Sequence, residues 1–210
     1  MVLSKASGIS NVEEWRSSKK LIKIGGVRIG GANDTAGKVL LSVIGLPARY
    51  IAGYTGINPI RLAVESGEVA GTCQSWYGLK SAWRSLFETG EVRVMVQAVA
   101  KPYPDLPNVP LAIDFAKTEE ERQLLELVQD YPQLSFPFVL PPGTPKDLVG
   151  VLRKAFEETV RDKQFMTEAE KAKIDIDPAS AEELEKIIAR LFKADPAVVA
   201  KLKEIGYAKE

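Results

Sequence analysis

Three short stretches hold the residues best placed to do chemistry. The first is Gly25-Gly26-Val27-Arg28-Ile29-Gly30-Gly31-Ala32-Asn33-Asp34, between an apolar strand-like run and a helix-like run. Glycines in such a turn bring backbone N–H groups up to an anion, and the N terminus of the following helix adds a favourable dipole. Gly25 and Gly30 have the spacing of a Walker-type phosphate loop. However, Gly31-Ala32 stands where that loop needs Lys and Ser or Thr, so the lysine and the magnesium-binding hydroxyl are missing. The dinucleotide fingerprint fails as well: Arg28 replaces its second glycine, and no acidic residue ends the next strand to hold a ribose. A small carboxylate is the anion that still fits. It would be held at Gly30, Gly31, Ala32 and Asn33, with Arg28 supplying a guanidinium. The competing reading is a tight turn with a solvated arginine.

The second stretch, Gly53-Tyr54-Thr55-Gly56, also joins a strand to a helix start. In an open parallel sheet, loops at the carboxyl ends of strands line the ligand crevice, which would put Tyr54, Thr55 and Gly56 beside the first turn. A plain turn with Tyr54 as a packing residue is equally consistent. The third is Thr72-Cys73-Gln74-Ser75-Trp76, where Ser75 and Trp76 offer a hydroxyl, an apolar wall and an indole N–H. Cys73 reads as a small buried hydrophobe, because the chain has no histidine to activate it.

The missing histidine also removes the commonest general base and metal ligand and every Ser-His-Asp device. No catalytic residue, metal site or cofactor is assigned, and the chain reads as a binder and not an enzyme. Lys plus Arg and Asp plus Glu are both 28, so net charge gives no reason to expect nucleic acid or an anionic membrane as partner. Apolar residues at 45% and charged residues at 27% suit a folded protein. No stretch approaches the roughly 20 apolar residues of a membrane span, and Met1-Val2-Leu3-Ser4-Lys5 is not a secretory leader.

The elements that must position these stretches alternate. Residues 21–25, 48–52, 69–73 and 92–99 read as strands, the last strongly apolar and central. Helices are expected over 33–44, from an Asn58-Pro59 cap to Gly67, and over 75–87. A β-α-β-α-β-α-β order from about residue 20 to 100 implies a parallel or mixed sheet covered on both faces. After a proline-rich connection (Pro102, Pro104, Pro107, Pro110), capping boxes open helices at Thr118 and Ser180, and Thr144-Pro145 and Asp195-Pro196 open two more. The helices from Pro145 onward have apolar faces (Leu148, Leu152 and Phe156; Leu184, Ile188 and Leu191) and no sheet of their own, so they should pack elsewhere.

Taken in order, Lys23-Ile24-Gly25-Gly26, Gly53-Tyr54-Thr55-Gly56, Arg61-Leu62-Ala63 with Gly67-Glu68-Val69-Ala70-Gly71, and Ser75-Trp76 with Leu79-Lys80 resemble one family. So do Lys101-Pro102-Tyr103-Pro104-Asp105-Leu106-Pro107-Asn108-Val109-Pro110 and Phe136-Pro137-Phe138-Val139-Leu140-Pro141-Pro142-Gly143-Thr144-Pro145. These segments are similar to the tripartite tricarboxylate transporter receptors, the Bug-type periplasmic solute-binding proteins. The resemblance implies an α/β, type II periplasmic-binding-protein-like Venus flytrap that captures a di- or tricarboxylate and delivers it to membrane permease subunits. On that mapping residues 1–3 are a crossover and 4–134 the second lobe, near-complete. Residues 135–210 are the C-terminal, returning part of the first lobe. The family's leader and the sheet-forming start of its first lobe have no counterpart here. Gly31 and Ala32 also lack the hydroxyl that the family usually offers at that turn, and Arg28 is the compensating group. Periplasmic localisation follows from the resemblance alone. Self-association through the exposed late helices is expected. The alternative readings are a ligand-sensing regulatory domain of similar bilobed fold, or a remnant that no longer binds.

Overall fold

The strand–helix alternation folds into a five-stranded sheet in the order β3-β2-β4-β1-β5. The computed structural model describes residues 1–130, 134, 136–172, 174 and 176–208. Strands β2 (Ile22–Gly26), β3 (Ala48–Ala52) and β4 (Gly71–Thr72) are parallel, with Ile24 opposite Tyr50 on one side and Gly71 on the other. Strand β1 (Val2–Ser4) runs antiparallel between β4 and β5 (Val92–Val94). The four strands read from the alternation therefore point the same way, and β1 is the antiparallel insertion.

That insertion corrects one expectation. The apolar run at 92–99 is not a central strand: it joins the sheet over Val92–Val94, at the edge, and Gln97 makes an isolated parallel bridge to Leu111. Beyond it the backbone turns to the proline-rich loop, with the Gln97 amide donating to the Pro110 carbonyl at 2.9 Å. Gln97 is buried and pins that loop, donating through Nε2 to the Leu106 and Val109 carbonyls and accepting from the Tyr103 amide.

Helices cover both sheet faces, so neighbouring strand residues are buried in opposite directions. Leu3 joins a core with Trp15 of α1 (Val12–Ser17), Leu40 of α2 (Ala32–Ile44), Leu125 of α6 (Glu119–Asp130) and Val198 of α10 (Pro196–Tyr207). Val2 joins the other core with Ile60 of α3 (Ile57–Glu65), Leu79 of α4 (Trp76–Ala82) and Leu86 of α5 (Arg84–Glu88). The helix expected over 75–87 is broken at Trp83, whose fully buried indole donates to the Ile57 carbonyl at 3.2 Å. Helix α3 starts one turn position early: Gly56 is its N-cap, and Asn58 lies inside the first turn.

The chain divides into two compact units, Met1–Pro132 with Ala194–Glu210, and Gln133–Lys193. The second unit holds α7 (Lys146–Thr159), α8 (Lys163–Lys171) and α9 (Ala181–Phe192). Ser180 and Glu183 form the expected capping box of α9. Thr144 does not cap α7; its hydroxyl donates to the Pro141 carbonyl, and Pro145 is the N-cap residue. The expectation that all helices after Pro145 pack elsewhere fails for α10, which packs on α2 and α6 within the first unit. Of the boundary read at residues 134 and 135, Ser135 lies outside the described residues. Among the described residues, no helix is long and apolar enough to cross a membrane.

Candidate functional site

Because β3, β2 and β4 are adjacent and parallel, the turns after them leave from one sheet edge. Direct hydrogen bonds tie them together. The Gly53 and Tyr54 amides both donate to the Gly26 carbonyl, joining the second turn to the first. Asn33 Nδ2 donates to Gln74 Oε1 at 2.8 Å, joining the first turn to the third.

The glycine-rich turn already holds an anion, one of its own. The Asp34 carboxylate is buried and reaches back from the first turn of α2 to accept from the Val27 amide (3.0 Å), the Arg28 amide and the Tyr50 hydroxyl (2.9 Å). Gly26 makes room for this: a Cβ there would come within 2.2 Å of the Tyr50 ring and 2.8 Å of Asp34 Oδ1. The Gly31 amide closes the turn on the Arg28 carbonyl, and the Gly30 amide donates to Gly206 of α10 at 3.3 Å. Gly30 has φ 73°, and the Tyr207 ring lies where its side chain would be.

The other assigned residues divide in the same way. Tyr54 turns its hydroxyl to Glu68 at 2.6 Å; burial, the bond to Glu68 and the Glu68 charge push its pKa up to about 12. Ser75 is the N-cap of α4, its hydroxyl accepting from the Gly78 amide. Trp76 gives its indole N–H to Asp105 at 3.0 Å, and Lys80 sits 3.1 Å from the same carboxylate. Burial pushes the Asp105 carboxyl up, but the bonds from Lys80 and Trp76 outweigh it and hold the group below its usual range. Cys73 is buried, and that burial pushes its thiol up, away from the reactive thiolate.

Some donors at the edge remain open. Arg28 is exposed, and its guanidinium has no partner among the described residues. No side chain caps α2 at Gly31, which leaves the amides of Ala32 and Asn33 without a partner among the described residues. Thr55 is exposed beside the α3 cap at Gly56. Gln74 Nε2 is buried and has no acceptor among the described residues. A buried donor without an acceptor costs about 1–3 kcal/mol, so this atom is poised for one. Asp34, Gln74 and Asp105 were not assigned from sequence. Their signals are an acid at the third position of a helix after a glycine turn, an amide at a strand end, and an acid among prolines.

The described residues contain no group of three or more His, Cys, Asp or Glu that could hold a metal. Neither a protein-family model nor a curated protein matches the sequence. A crystal structure of a TctC solute binding protein from Polaromonas, with no ligand, matches with a TM-score of 0.67 over 97% of this chain. The fold is that of a solute-binding protein. It is a mixed α/β fold of the periplasmic-binding-protein kind, and sequence identity to that neighbour is 15%. The chain spans 64% of the Polaromonas protein. Within this fold, the sheet edge with Arg28, Asn33, Thr55 and Gln74 is the candidate ligand surface.

Proposed function

We propose that this chain is a receptor component that binds a small organic acid, a di- or tricarboxylate, without transforming it. The observation that carries the reading is the buried Gln74 Nε2, without an acceptor among the described residues, where the first and third turns meet beside Asn33. A carboxylate oxygen supplies the missing acceptor, and the Ala32 and Asn33 amides and the Arg28 guanidinium add charge-assisted bonds. Tyr54, Gly56 and the Trp76 ring then act as walls, and Gly30, Gly31 and Ser75 hold the shape of the turns. The likeness in fold to the TctC solute binding protein from Polaromonas supports the receptor role.

By the resemblance stated above, residues 4–134 are the second lobe and 135–210 the returning part of the first. The setting is periplasmic, and the acid is handed to membrane permease subunits. Exposed Leu148, Leu152 and Ile188 support self-association of the chain. A chain that no longer binds is the second reading, favoured by Asp34 filling the Val27 and Arg28 amides.

NMR titration of the labelled chain with citrate, succinate and glutarate tests this. The expected result is saturable shifts at residues 28–33, 54–56 and 74–76, lost in Arg28→Ala and in Gln74→Leu. Shifts absent from those turns would leave the non-binding reading standing, and shifts undiminished in both variants would remove Arg28 and Gln74 from the site.

A further inference from the structure

A second feature lies apart from the acceptor-less glutamine. A cavity of about 350 Å³ opens in the first unit beside strand β3, lined by Lys38 of α2, Arg49, Tyr50, Ile51 and Ala52 of β3, and Ile29 of the first turn, with Ala208 at its end. Among the described lining residues two are cationic and none is acidic. Lys38 is 7% exposed, an unusual place for an ammonium, which normally needs a counter-charge when buried. Its described partners are neutral: the Ala208 carbonyl at 2.6 Å, the Gly206 carbonyl at 3.5 Å and the Tyr50 ring at 5.8 Å. Asp34, one helical turn before it, is not its counter-ion, because that carboxylate is bound to Val27, Arg28 and Tyr50 and no Asp34–Lys38 ion pair forms. Arg49 is exposed and has no partner among the described residues.

We propose that this cavity is an anion site for a short aliphatic carboxylate, distinct from the turn site. Lys38 is the deep cation and Arg49 the cation at the rim. An ammonium has three donors, and the two carbonyls leave one for a ligand oxygen. The guanidinium presents a planar fork suited to a carboxylate. Ile29, Ile51 and the Tyr50 ring give the remainder of the wall an apolar character, which favours a carboxylate with a hydrocarbon body over inorganic phosphate. Occupation also bears on α10, since Lys38 holds the carbonyls at the end of that helix.

The proposal does not rest on the receptor reading: Ile29 is shared with the span of the first turn, but Lys38, Arg49 and Ala208, which carry the proposal, lie outside the turn site. The test is NMR titration of the full chain with butanoate, with chloride at matched ionic strength and methyl butanoate as controls. Saturable shifts at Lys38, 49–52 and Ala208 with butanoate alone are expected, with Arg49→Gln weakening the fitted affinity about tenfold, the loss of one charge-assisted bond. Lys38→Met should abolish the shifts, and its circular dichroism melt shows whether the fold survives. Arg49→Gln, at an exposed position, keeps the test valid if Lys38→Met unfolds. Arg28→Ala should leave these shifts unchanged. Absent shifts, equal shifts with chloride, or full affinity in Arg49→Gln would overturn the proposal.

Discussion

Helices α2 and α7 are of similar length and both amphipathic, yet they end in opposite environments. Eight residues of α2 are buried, from Asp34 to Ile44, whereas no residue of α7 is buried. The difference is not helix propensity. Helix α2 lies between a sheet and two further helices, α6 and α10. Helix α7 belongs to a unit whose described elements are helices alone, tied by exposed contacts such as Arg153 with Glu182 and Glu185, and Phe138 against Phe156. An apolar stripe specifies a face to be covered; only a partner element turns it into stability.

The sharpest way to break that comparison is to truncate one large side chain in each unit. Trp83→Ala should cost about 3–5 kcal/mol, because the indole is fully buried and bonded to Ile57. Phe138→Ala should stay within about 0.5 kcal/mol, since the ring is 85% exposed. Urea titration of both variants checks this, and equal losses would show that the second unit has a core of its own. Next in size is Asp34→Ala, expected to cost about 3 kcal/mol by stranding the Val27 and Arg28 amides. A variant as stable as the parent would mean that water replaces the carboxylate and that the turn is free to take an external one.

The sequence made some of this legible. Helix starts with side-chain caps could be read directly: Thr118 and Ser180 each accept from the amide three residues on. Parallel β2, β3 and β4 followed from the alternation, and so did the shared edge of the three turns. Strand β1 left no sequence signal, because three residues have no period. The edge position of β5 depended on it and was lost as well. The site was partly legible for a different reason. Residue types identify polar groups, but only the fold shows which are already spent: Tyr54 and Trp76 donate to Glu68 and Asp105, and the Ser75 hydroxyl accepts from the Gly78 amide.

Two smaller effects sharpen the contrast between the units. A charge placed on the exposed stripe, Leu152→Glu, should lower self-association in sedimentation velocity and leave the melt unchanged; unchanged association would place the contact elsewhere. The smallest effect concerns Tyr54. Its pKa is raised from 10.0 to about 12, so the folded state holds the phenol proton more tightly than the unfolded chain does. That contribution is complete below pH 10 and is lost as the pH climbs towards 12. Phenolate absorbance, compared with Tyr54→Phe, should show the late titration, and Glu68→Gln should bring it earlier. A Tyr54 midpoint unmoved in Glu68→Gln would leave burial as the sole cause.

Strand β1 has a consequence for how the chain is made. Val2 and Leu3 pair with Thr72 and Gly71 on one side and with Val94 and Arg93 on the other. A ribosome delivers the middle strand of the β4-β1-β5 trio first and its two neighbours last. Until residue 72 has emerged Val2 and Leu3 have neither partner strand, and until residue 94 they keep one side unpaired, apolar and open to the wrong strand of another nascent chain. Sheet closure therefore waits on pairings distant in sequence, which slows folding.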